Sequence, residues 1–233
     1  MGLCCYVICY CIKKRVFCCQ KEIISDNLFD VYKGIDMSFV IFDTEYIADK
    51  GMKEEGFCGW QNREIIQIAA IKLDNDLKLI DRINLYIIPC LHKKIPQYFV
   101  DLTGINDEQM KKEGITFDKA YQVFRDFVGN DVCYSHAWDF TKDNDADGLV
   151  MREMLDIYGI IDNNQPDYKN IAYWFRDKYN EKGIKVENQS SGEIASILGK
   201  EDELKELYLQ VHNAFYDVYS ILIGLKTLEF QGS

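Results

Sequence analysis

Apolar and polar positions alternate at the end of a short apolar run, Phe39-Val40-Ile41-Phe42-Asp43-Thr44-Glu45-Tyr46, bounded upstream by Gly34 and Asp36. This spacing predicts a central strand. Side chains at i and i+2 of a strand leave the same face, so Asp43 and Glu45 stand side by side at its end. Residues 47–63, with Gly51, Gly56, Gly59 and Trp60, predict a loop. Residues 64–73 and 76–89 predict two further strands joined by a tight turn at Asn75-Asp76, an antiparallel hairpin beside the first strand. Pro89 and Pro96 predict a loop, and Leu102 to Asp107 a turn into a short helix ending near Lys112.

From Phe117 the period changes. Phe117, Ala120, Tyr121, Phe124, Phe127 and Val128 form a helical stripe, and residues 131–136 predict a strand after it. Residues 138–144 are polar and predict a loop. A helix is expected from Asp147, whose carboxylate shares a stripe with Val150, Met151, Met154, Leu155 and Tyr158. Residues 168–179, 191–198 and 202–209 predict further helices. The last begins near Ala214 and carries Val218, Ile221, Leu222, Leu225 and Leu228, with Asp217 four residues before Ile221 on the packed side.

Length and composition narrow the setting. The 233 residues suit one catalytic-sized domain, here 37–233, plus an appendage at 1–36. The formal net charge of −11 carries no bulk signal for nucleic acid, although bound cations invert a local field and let an acidic protein grip a short phosphodiester. Cys4, Cys5, Cys9, Cys11, Cys18 and Cys19 crowd the first segment, leaving only Cys58, Cys90 and Cys133. Three scattered cysteines suit a reducing compartment, so a cytoplasmic location is expected. Residues 1–36 are expected to be dispensable or disordered. Membrane attachment through acylation within residues 1–19 and the Lys13-Lys14-Arg15 cluster, or attachment to a partner, is the alternative, and metal or redox use the weakest one. No apolar run reaches the roughly 18–20 residues that span a bilayer.

Asp43 with Glu45, Asp147 and Asp217 each fall at the edge of a predicted buried face. Burying an uncompensated carboxylate costs several kcal/mol, and no basic residue recurs beside these acids. Four carboxylates of this kind suit hard divalent cations, Mg²⁺ or Mn²⁺, bound through oxygen. His212 precedes Asp217 by five residues, about 140° of helical rotation, so it shares the site only from the loop entering the helix. There a neutral imidazole takes a proton from water.

These motifs together resemble the DEDDh exonucleases, RNase H-like 3′→5′ enzymes that include RNase T and proofreading subunits. Phe42-Asp43-Thr44-Glu45 is similar to the family's first motif, Asp147-Gly148-Leu149-Val150-Met151 to the second, and His212 through Asp217 to the third. Glu64-Ile65-Ile66-Gln67-Ile68 and Leu102-Thr103-Gly104-Ile105 resemble flanking signatures. The resemblance covers residues 38–228 and implies an α/β fold, a mixed five-stranded sheet flanked by helices. It implies hydrolysis of single-stranded RNA or DNA from the 3′ end to 5′-nucleoside monophosphates. Asp43, Glu45, Asp147 and Asp217 would hold two ions, with His212 as general base. Thr44, Tyr46 and Trp60 are candidates for contact with the substrate's terminal nucleotide.

Alternatives differ in what they ask of the same residues. A proofreading or processing subunit would receive its substrate from a partner protein. A regulatory nucleic-acid-binding module would keep the fold without turnover, which the complete set of acids and His212 argues against. A Cys133–His212 thiol pair is disfavoured, because a thiol in an apolar strand is usually inert. Asp145 competes with Asp147 as third ligand, and the helical offsets favour Asp147. His92 and His136 are assigned to no metal, and Glu64, Gln67 and Asp139 are candidates to support the site from behind.

Overall fold

The computed structural model describes residues 38–53, 56–137, 147–187 and 189–230, with the backbone alone for 49–53 and 56–61. The expectations for residues 1–36, the 138–144 loop, Asp139, Asp145 and the Trp60 side chain lie outside the described residues. Five strands form one mixed sheet in the order β3-β2-β1-β4-β5: β1 (Ser38–Lys53), β2 (Gly56–Asp74), β3 (Leu79–Tyr86), β4 (Val132–Ser135) and β5 (Asp167–Asn170). The pairs β1/β2 and β2/β3 are antiparallel, and β1/β4 and β4/β5 are parallel.

Strand alternation explains the layers. The side chains of Phe39 and Ile41, with Ala69, Ile71 and Leu73 of β2, pack against Phe175 and Tyr179 of α5 (Ala172–Lys182) and Val218, Ile221 and Leu225 of α7 (Ala214–Thr227). Val40 and Phe42, with Ile68 and Ala70, face the other way, onto Phe117 and Phe124 of α3 (Phe117–Val128) and Met151 and Met154 of α4 (Asp147–Tyr158). Two apolar layers therefore sandwich the central strand, which accounts for its unbroken apolar run. Cys133 belongs to the α3/α4 layer, on the sheet face opposite the helix that His212 precedes.

Within the expected loop over 47–63, residues 47–53 and 56–63 are instead strand. β1 and β2 continue as a ribbon, pairing Asp49 with Gln61, Lys50 with Trp60 and Lys53 with Gly56, with irregularities after Glu45, Ile47 and Lys50. Backbone pairing extends the hairpin here, and bulges absorb residues that break the alternation. The loop expected after Pro89 contains α1 (Gln97–Thr103), which Pro96 opens as N-cap and Gly104 closes at φ 78°. α2 (Asp107–Glu113) starts at Asn106, whose side chain accepts from the Glu108 and Gln109 backbone N–H groups. The expected helix over 168–179 starts later, because Asp167–Asn170 pairs with Val132–Ser135 as β5. The remaining short helices are a 3-10 turn at Ser191–Glu193, α6 (Ile194–Ile197) and a 3-10 stretch at Glu201–Leu207. Among the described residues, no helix is long and apolar enough to cross a membrane.

Candidate active site

The parallel pairing of β1 with β4 is recorded for Phe39, Val40 and Ile41, and Asp43 lies just beyond it. The site occupies this end of the central strand, where a sheet with helices on both faces opens between diverging strands. Asp43 shares the odd-numbered face of β1 with Phe39 and Ile41, so it turns towards α7. Its carboxylate, that of Glu45 and that of Asp217 each offer an oxygen within 4.8 Å of the other two. Asp43 and Asp217 are buried at 5% and 2% exposure, while Glu45 is half-buried.

Asp147 arrives from the other face. Thr44, on the α4 side of β1, donates through Oγ1 to Asp147 Oδ1 at 2.5 Å, and the Asp147 backbone N–H donates to Ser135 Oγ at 3.2 Å. Asp147 lies outside the tight group of three, yet its charge is the largest electrostatic contribution raising Asp43 after burial itself. The strand thus carries one pair of acids and, through Thr44, the anchor for a third element.

Burial and the crowding of like charges set the electrostatics of the site. Burial, then the charges of Asp147, Asp217 and Glu45, hold the Asp43 carboxyl well above the usual carboxylate range. Burial, then Asp217 and Asp147, do the same to Glu45. Burial pushes Asp217 up to about 7 and Asp147 up to about 6, against hydrogen bonds from Ser191 and Thr44 respectively. Crowded carboxylates with raised pKa values favour a proton or a cation between them. An oxygen-only donor set of this kind fits Mg²⁺ or Mn²⁺.

Two neighbours in the site escaped the sequence analysis. Ser191 Oγ lies 2.8 Å from Asp217 Oδ2 and 3.1 Å from Asp43 Oδ1, bridging two acids 174 positions apart in sequence (217 − 43). At Gly192 a Cβ would sit 2.5 Å from Asp217 Oδ1, so only glycine leaves room for that carboxylate. Neither position carries a periodic signal, since each acts through a turn that the fold brings to the site.

His212 lies in the turn before α7, half-buried, at φ 66°. Its backbone N–H donates to Asp217 Oδ1 at 3.2 Å, which ties the turn entering α7 to one acid of the cluster. Tyr46 is half-buried, with the Arg63 guanidinium 5.7 Å from its ring centroid, and Arg63 forms a bidentate pair with Glu153. Gln67 reaches the start of α7, donating to Asn213 Oδ1 and accepting from the Ala214 N–H. Glu64 accepts from the backbone N–H groups of Cys90, Leu91 and His92, with His92 Nδ1 at 2.9 Å, rather than bonding to the acids. His136 is buried edge-on to Phe175, and burial lowers its pKa to about 4. Burial likewise pushes the Cys133 thiol up, which removes it as a nucleophile.

A mixed sheet with acids gathered at the end of its central strand is the arrangement of the RNase H-like nucleases. The RNase T pattern, described as exonuclease, matches residues 40–223, and the chain belongs to this exonuclease family. Three solved structures show the same fold. Cell-death related nuclease 4 (CRN-4) superposes with a TM-score of 0.57 at 19% identity over 82% of this chain and 63% of that one. The nuclease domain of 3′hExo, a DEDDh family member bound to rAMP, gives 0.55 at 19% identity over 84% and 94%. The zinc-bound E. coli ExoI–ssDNA complex gives 0.59 at 17% identity over 83% and 40%. The chain therefore spans less than two thirds of the CRN-4 and ExoI chains. No curated protein matches it in sequence.

Proposed function

We propose that the chain is a metal-dependent 3′→5′ exonuclease acting on single-stranded nucleic acid and releasing 5′-nucleoside monophosphates. The observation that carries this is the meeting of Asp43, Glu45 and Asp217 within 4.8 Å, with the charge of Asp147 acting on Asp43 and the backbone of His212 bonded to Asp217. The rAMP in the 3′hExo structure and the single strand in the ExoI structure support the substrate class.

Asp43, Glu45, Asp147 and Asp217 would hold the ions, Mg²⁺ or Mn²⁺. When bound, such ions stabilise charge on a phosphodiester and on the departing oxygen and make a bound water more acidic. His212, on the loop into α7, accepts the proton of the attacking water. The water oxygen bonds to phosphorus, the bond from phosphorus to the 3′ oxygen breaks, and the shortened strand takes a proton at its new 3′ hydroxyl. Thr44 spends its side chain on Asp147, which leaves its backbone for the terminal sugar. Tyr46, held under Arg63, supplies a flat surface on which a base stacks without regard to sequence.

A 5′-labelled single-stranded oligonucleotide with Mn²⁺ tests this, as matched RNA and DNA and with or without a 3′-terminal phosphate. A ladder shortening from a free 3′ hydroxyl, delayed by the phosphate, is expected. Internal cuts that ignore the state of the 3′ end would overturn the polarity, and binding without turnover would overturn the enzyme.

A further inference from the structure

We infer that Gln67 is the positioning residue that sets His212 over the acids, a proposal that rests on the exonuclease function. Gln67 lies on β2 directly opposite Glu45 in register and is fully buried. Its side chain uses both ends. Nε2 donates to Asn213 Oδ1 at 3.1 Å and to Asn84 Oδ1 at 2.9 Å, and Oε1 accepts from the Ala214 N–H at 3.0 Å.

Those contacts fall on the one junction that matters for His212. Ala214 opens α7, and its N–H has no carbonyl of the same helix to reach. Asn213 is the N-cap, accepting from the Phe215 N–H at 3.2 Å, while its own backbone oxygen accepts from the Asp217 N–H at 2.9 Å. Asn213 Nδ2 also lies 3.5 Å from the Thr103 carbonyl oxygen. A single buried amide therefore docks the first residue of the helix and its cap onto the strand that pairs with Asp43 and Glu45. His212 immediately precedes this docked pair, in the left-handed region at φ 66°, a conformation costly for a residue other than glycine and held only where its surroundings fix it.

An amide is required because one end must donate and the other accept. Glutamate at 67 would lose both donations and place another carboxylate opposite Glu45. Methionine keeps the volume and loses every hydrogen bond. Gln67→Met is therefore expected to lower kcat about 30-fold, the scale on which small misplacements of a reacting group act. KM for a single-stranded oligonucleotide and the calorimetric affinity for Mn²⁺ are expected to stay within about twofold of wild type. In a His212→Ala background the same change is expected to cost less than about threefold, because the group being positioned is gone. Asn213→Ser keeps a capping oxygen too short to meet Gln67 and is expected to reproduce the kcat loss should Gln67→Met fold poorly.

Equal losses from Gln67→Met with and without His212 would overturn the inference, as would a loss of Mn²⁺ affinity, which would place the effect on Asp217. Wild type that binds Mn²⁺ without hydrolysing any strand would remove the exonuclease function, and the role assigned to Gln67 with it. Turnover by wild type with equal losses removes only the latter.

Discussion

Thr44 Oγ1 donates to Asp147 Oδ1 at 2.5 Å, a bond between the central strand and α4 that spans 103 residues of sequence. It joins the two faces of the sheet at the point where the acids gather, because Asp43 and Glu45 leave one side of β1 and Thr44 the other. Thr44→Val keeps shape and removes the donor. It is predicted to lower kcat about tenfold or more, the scale of one hydrogen bond to a charged group, while Thr44→Ser stays near wild type. Steady-state kinetics of the two variants checks this, and equal activity of Thr44→Val and wild type would contradict it.

The same bond bears on the choice between Asp145 and Asp147. The charge of Asp147 is among the causes that raise Asp43, Glu45 and Asp217. Asp147→Asn is predicted to abolish Mn²⁺-dependent hydrolysis and Asp145→Asn to leave most of it. The reverse result in a single-turnover assay would transfer the ligand role to Asp145.

Protonation of the acids gives a signed pH dependence. Burial holds Asp217 at about 7 and Asp147 at about 6, above their ordinary values. A carboxyl raised on folding binds more protons folded than unfolded between the two pKa values, so its contribution to stability falls as pH rises through that window, here from roughly 4 to 7. In chelator, the melting temperature of wild type relative to Asp217→Asn is predicted to drop by several degrees between about pH 5 and pH 8. Added Mn²⁺ is predicted to recover the loss at the higher pH, since a bound ion replaces the proton. A relative melting temperature that climbs with pH in chelator would contradict the assignment.

Gly192 tests the packing behind Asp217. A Cβ there would also meet Val211 Cγ1 at 2.7 Å, leaving little slack on either side. Gly192→Ala is predicted to destabilise the fold by about 1–3 kcal/mol, as overpacking does. It is also predicted to lower kcat more than Ser196→Ala, a change in the exposed part of the same segment. Denaturant melts together with kinetics on both variants settle the point.

Much of this site was legible in the sequence, and the reasons are local. Period two put Asp43 beside Glu45, and period 3.6 put Asp217 on the packed side of α7 and Asp147 on that of α4. What failed to show were features fixed by partners distant in the chain. Asp167–Asn170 holds one buried apolar residue, Tyr168, and is a strand because β4 lies beside it. Residues 49–61 look like a loop because glycines interrupt their alternation, and the ribbon there is held by backbone pairing instead. Ser191 and Gly192 serve the site from a short 3-10 turn whose sequence carries no hint of Asp217. Gln67 could be suspected from its place in a strand beside the acids, but its grip on Asn213 and Ala214 needed the fold.

Calorimetric titration of the chelator-treated protein with Mn²⁺ near neutral pH tests the central claim most directly. Saturable binding of about two ions is predicted, lost in the Asp43→Asn/Asp217→Asn double variant and weakened as the pH falls. An isotherm that shows no saturable binding to wild type, or that the double substitution leaves unchanged, would mean that these carboxylates do not hold the metal.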